Sequence, residues 1–89
     1  MPNFTGMDIP AVRQLAASMR QKADEIDSLR QQLTSQLGNT QWVGNDRNQF
    51  TSDWNGMYTN SLNQVAQGLR DAATRADNNA AEQESASSR

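Results

Sequence analysis

The sequence predicts an all-α protein, an antiparallel two-helix hairpin that dimerises into a four-helix bundle. Two observations carry the hairpin. Two long runs place apolar residues at steps of three and four, and a short glycine-containing link separates them. A third observation carries the pairing. A hairpin has a single internal interface, so two apolar stripes exceed what one copy can cover, and a second hairpin is expected to cap them.

The first run is Val12, Leu15, Met19, Ala23, Ile26, Leu29, Leu33 and Leu37. Its spacing is helical and not the alternation of a strand. Asp8 is a suitable N-cap, and Pro10 falls in the first turn, where its missing N–H costs little. Gly38-Asn39 offers a left-handed stop. Helix 1 is therefore expected at 9–37, with 1–8 as an N-terminal arm and 38–45 as the turn.

The second run is Phe50, Trp54, Tyr58, Leu62, Val65, Leu69, Ala72 and Ala76. Asn45 or Asp46 can cap its start, and Asp46 with Gln49 resembles a capping box. Gly56 and Gly68 lie inside and each costs about 1 kcal/mol relative to Ala, so the stretch from Ser52 to Met57 is the weakest part of this helix. Helix 2 is expected at 46–79. Beyond it, 80–89 lacks any large apolar residue and reads as a flexible tail.

Composition removes most function classes. The 89 residues include no histidine and no cysteine, hence no imidazole proton shuttle, disulfide framework or thiolate zinc site. A net charge of −2, with one Lys and the arginines dispersed, opposes nucleic-acid binding. With a mean hydropathy of −0.88 and no apolar stretch near 18 residues, neither a transmembrane helix nor stable membrane insertion is expected. The segment Met1–Gly6 has neither a basic nor an apolar region of the kind that marks a cleaved secretory signal. Asp24, Glu25 and Asp27 form an acidic cluster, but no loop gathers enough oxygens for a cation, so a solvated face is the better reading. Asp27 with Arg30 and Asp71 with Arg75 are ordinary exposed helix pairs, and Lys22 extends its amine to water. No catalytic residue, cofactor or metal is assigned, and no enzyme activity is expected. Core and dimer interface are assigned to Val12, Leu15, Met19, Ile26, Leu29, Leu33, Leu37, Phe50, Trp54, Tyr58, Leu62, Val65 and Leu69. Met7, Met19 and Met57 are expected to fill gaps in that interface.

The link contains Trp42-Val43-Gly44, and Phe50, Trp54 and Tyr58 follow it at helical spacing. A W-x-G triplet alone is weak, and Trp54-Asn55-Gly56 is a second match that reads as an accident within helix 2. The first triplet, placed mid-chain between two helices of a polar protein of this length, resembles the WXG-100 (Esx, early-secreted-antigen-like) family of bacterial type VII secretion. The resemblance covers about residues 6–77. It implies a hairpin that pairs with itself or with a sister WXG-family protein and leaves the cell as a folded dimer, without a cleaved signal peptide. It also implies a membrane complex driven by an FtsK/SpoIIIE-type ATPase, with Trp42 and Gly44 as the turn and secretion-recognition motif. On that reading the protein is extracellular with a cytoplasmic pool before export, and virulence-associated. One feature departs from the family. Its export motif is a Tyr followed four residues later by Asp or Glu beyond helix 2; here Tyr58 is followed by Leu62, and Asp77, Glu82 and Glu84 have no tyrosine upstream at that spacing. A partner is then expected to supply the signal. The alternative reading is an intracellular helical adaptor or homodimeric bundle whose W-x-G is a coincidence.

Overall fold

The computed structural model describes residues 6–87. These form a rod of 66 × 17 × 17 Å built from two antiparallel helical arms. The first arm is α1, Ile9–Asn39; the second is α2, Asn45–Asp53, then a single π turn, Trp54–Tyr58, then α3, Thr59–Ser87. No strand occurs among the described residues. The hairpin architecture expected from sequence is present.

α1 begins as its sequence dictates. The Asp8 carboxylate accepts from the Ala11 N–H at 3.1 Å, satisfying one of the free donors at the helix start, and Pro10 occupies the first turn. Its end differs from expectation. Gly38 and Asn39 lie inside α1, and neither is in the left-handed region. The helix stops instead at Thr40, which is extended. The Thr40 hydroxyl donates to the Gln36 carbonyl at 2.6 Å, and its N–H to the Leu37 carbonyl at 3.4 Å. A side chain does the capping that a left-handed glycine would otherwise do.

The left-handed glycine of the turn is Gly44, with φ +129° and ψ −179°. It is the N-cap of α2, so Asn45 and Asp46 sit within the first turn and neither caps it. No capping box forms; Gln49 donates to Asp53 at 3.0 Å rather than reaching back. Asp46 still favours the helix start through the helix dipole.

The π turn falls within the stretch that propensity marks as weakest. Phe50, Trp54, Tyr58 and Leu62 are spaced by fours, and each four-residue step overshoots a 3.6-residue turn by about 40°, or about 120° over three steps. One widened turn takes up an extra residue, about 100°, and returns all four to one side of the arm. The Thr59 N–H bonds to the Trp54 carbonyl five residues back. The hydroxyl of Thr59 and the amide of Asn60 donate to the carbonyls of Asn55 and Gly56, at 3.1 and 2.7 Å. Deleting Gly56 should therefore convert the arm to continuous α-helix and swing Trp54 out of its site. Tryptophan emission should move to longer wavelength with little change in far-ultraviolet circular dichroism.

The C-terminal boundary is a correction. α3 runs to Ser87, so residues 80–87 are helix where the sequence suggests a flexible tail; 88 and 89 lie outside the described residues. The expectation weighed only large apolar side chains. Ala80 is fully buried, and Glu84 accepts a 2.8 Å bond from Arg13. Ala, Glu and Gln also favour helix intrinsically. Of the N-terminal arm, 1–5 lie outside the described residues, and Gly6–Asp8 lead into α1.

Candidate functional site

The inner seam of the hairpin is made of alanine. Ala16 and Ala23 on α1, and Ala66, Ala73 and Ala80 on α3, recur every seven residues and are at most 1% exposed. A seven-residue repeat keeps a seam facing its partner helix, and a methyl group lets two backbones approach closely. Trp54, 8% exposed, closes the seam at the turn end, where its indole N–H donates to the Thr34 hydroxyl at 2.8 Å. Only Ala23 and Trp54 of this set belong to the apolar stripes read from sequence.

Charge lines one side of that seam. Measured round α1 from Ala16, the positions Arg13, Arg20, Asp24 and Asp27 fall roughly 20–80° to one side. They meet α3 in ion pairs: Arg13–Glu84 at 2.8 Å, Arg20–Asp77 at 2.8 Å, and Arg70 to Asp24 and Asp27 at 2.8 and 2.7 Å. The hydrogen bonds to Asp24 and then Asp27 raise the Arg70 pKa further above its ordinary value. Glu25 pairs with Lys22 at 3.2 Å, so every carboxylate of the acidic cluster has a cationic partner. Being exposed or only half-buried, these contacts contribute little stability individually. Their effect is to fix which side of the hairpin is polar.

The large apolar residues occupy the other side. Val12, Leu15, Met19, Ile26, Leu29, Leu33 and Leu37 fall roughly 40–140° from Ala16 in the opposite sense, and Leu62, Val65 and Leu69 are offset likewise from Ala66. Because the arms are antiparallel, equal offsets place both stripes on the same broad face. Within the single chain, the residues assigned to core and dimer interface do not form an enclosed core. Val12, Met19, Ile26, Leu37, Leu62 and Leu69 are half-buried, while Leu15 (52%), Val65 (53%), Leu33 (45%), Leu29, Tyr58 and Phe50 are exposed. Met57 is exposed as well, and Met7 and Met19 are half-buried. The alanine seam brings the helices too close for bulky side chains to lie between them. They stand out along one face instead.

At the turn end this face becomes aromatic. Phe50 lies at the centre of the group, with ring centroids 5.9 Å from Trp42, 6.2 Å from Trp54 and 6.4 Å from Tyr58. These separations suit edge and offset contacts between rings. Leu33, Leu37, Trp42, Phe50 and Trp54 line a cavity of about 240 Å³, with Gln36 and Thr40 as its polar rim. The concavity depends on the irregular run 40–44 that carries Trp42 back over Phe50.

Trp42 is 42% exposed and Val43 is 89% exposed, so the turn presents apolar surface beyond what packing within the chain requires. Gly44 has a different task. Its φ of +129° with extended ψ belongs to a region that is essentially glycine-only. Gly44→Ala should cost about 1–3 kcal/mol even though the space around it is open. Gly38→Ala, at an ordinary helical position, should stabilise by about 0.4–1 kcal/mol. Paired chemical denaturation curves will read both signs. Among the described residues no helix is long and apolar enough to cross a membrane. No protein-family model, curated protein or solved structure matches this chain.

Proposed function

We propose that this protein acts by protein–protein recognition, as one half of a four-helix dimer, and that it is a type VII secretion substrate of the kind the WXG-100 resemblance implies. The supporting observation is the division of the rod into a polar edge tied by ion pairs and an opposite face where Leu15, Leu29, Leu33, Tyr58 and Val65 are exposed. A contiguous apolar face of this length is costly in water and marks an interaction surface. Another hairpin with the same face would cover it. Burial would supply affinity, and the Trp42–Gly44 turn would supply the address read by the secretion ATPase.

A second copy suits the surface by shape. Along the second arm the turn half of the face carries Tyr58, Leu62, Val65 and Leu69, whereas the other half carries Ala72 and Ala76. Antiparallel two-fold pairing lays the bulky half of each second arm on the small half of the partner's second arm, which suits close packing of facing layers. A sister WXG-family hairpin is the competing partner, and it would carry the C-terminal Tyr-x-x-x-Asp/Glu signal that this chain lacks. In either case the dimer would leave the cytoplasm folded and act outside the cell.

Export is the test. The protein should appear in culture medium only when the type VII machinery is intact. Trp42→Ala should reduce export at least tenfold while leaving dimerisation measurable by light scattering. Undiminished export of an intact Trp42→Ala dimer would remove the address role of the turn. Retention in the cell irrespective of the machinery would favour the intracellular adaptor.

A further inference from the structure

The described residues stop at Gly6, and the sequence ahead of them, Met-Pro-Asn-Phe-Thr, holds one aromatic side chain, Phe4. At the far end of the rod, the cavity of about 240 Å³ between Leu33, Leu37, Trp42, Phe50 and Trp54 is smaller than the ~300–1,000 Å³ typical of small-molecule sites. It suits an apolar side chain or two. We infer that this cavity is the seat of Phe4 from a second copy of the chain, so that in the dimer each N-terminal arm latches onto the turn of its partner.

The arm cannot reach the cavity of its own chain. The helix from Ile9 to Gln36 is about 40 Å long at ~1.5 Å per residue. The five residues from Phe4 to Ile9 span at most about 17 Å even when fully extended. In the antiparallel pairing proposed above, on which this inference rests, each α1 N-terminus comes alongside the partner's turn, within such a reach. Two further observations fit. Gly6 has φ +92°, a left-handed conformation, so the chain turns just ahead of α1. The cavity walls Leu33, Trp42 and Phe50 are themselves exposed members of the apolar face, so the seat is continuous with the surface the second copy would cover. At the other terminus, 81–89 offers only alanine as apolar side chain. Phe4 is the better match in both size and chemistry.

The chain contains no cysteine, which makes the test direct. Asn3→Cys and Gln36→Cys, introduced together with Phe4 retained, should give a covalent dimer on a non-reducing gel after mild oxidation, and neither single variant should do so. Phe4→Ala, with the helices untouched, should weaken the dimer on the order of 100-fold, since two seats are lost per dimer. It should also shift tryptophan emission to longer wavelength, because Trp42 and Trp54 line the seat. A dimer that neither cross-links through this pair nor responds to Phe4→Ala overturns the seat and leaves the pairing standing. A chain that sediments as a monomer at micromolar concentration overturns the pairing, and the seat with it.

Discussion

Leu33→Asp is expected to turn a dimer into a monomer without unfolding the hairpin. Leu33 is 45% exposed in the single chain, so an aspartate there is solvated when the rod is alone and costs the isolated fold little. In a two-fold dimer the same substitution buries two unpaired carboxylates against apolar surface, which costs several kcal/mol. The dissociation constant should rise on the order of 1000-fold or more, from ~1.4 kcal/mol per factor of ten. Sedimentation should move to the monomer mass while helical circular dichroism persists at low temperature. Leu33→Ala, which removes apolar area without adding charge, should give a milder version of the same result.

Ala23→Leu should have the reverse effect. Ala23 is fully buried at the seam between α1 and α3. A leucine there adds three heavy atoms where two backbones are held close by methyl groups, and overpacking of a well-packed site costs about 1–3 kcal/mol, occasionally more. In a rod this thin, with no second layer to take up the shift, the upper end of that range is expected. The same holds for Ala73→Leu across the seam. The thermal midpoint should fall by several degrees in the variant and the hairpin should splay. Adding a large hydrophobe thus destabilises the fold, whereas removing one from the outer face leaves it nearly unchanged. A conventional core would give the opposite order.

That reversal shows where the sequence was informative. Helical periodicity, the Asp8 cap and the mid-chain turn were all legible, because each depends on local chemistry that the residue type reports. Which residues form the inner seam was not legible from a stripe of large hydrophobes, since the stripe lies beside the seam. The signal that finds it is the seven-residue recurrence of alanine at Ala16, Ala23, Ala66, Ala73 and Ala80, which hydropathy alone underweights. It also explains why α3 continues through 80–87 with only small and polar side chains.

The ends of α1 and α2 were misplaced for a related reason. Gly38-Asn39 and Asp46 with Gln49 are valid capping signatures, but the tertiary path prefers an irregular run from Thr40 to Gly44 that folds Trp42 onto Phe50. The π turn was half visible. Four-residue aromatic steps and an internal glycine mark the place, though only the carbonyl of Trp54 bonded to the Thr59 N–H identifies the form. The aromatic cavity follows from these two irregularities together, so no single motif announces it.

Sedimentation equilibrium of the purified protein across a hundredfold dilution, with thermal melts on the same samples, tests the unpartnered apolar face most directly. A species near twice 9.9 kDa whose midpoint falls as it is diluted is the predicted result. A sharply melting 9.9 kDa particle, indifferent to concentration, would contradict it.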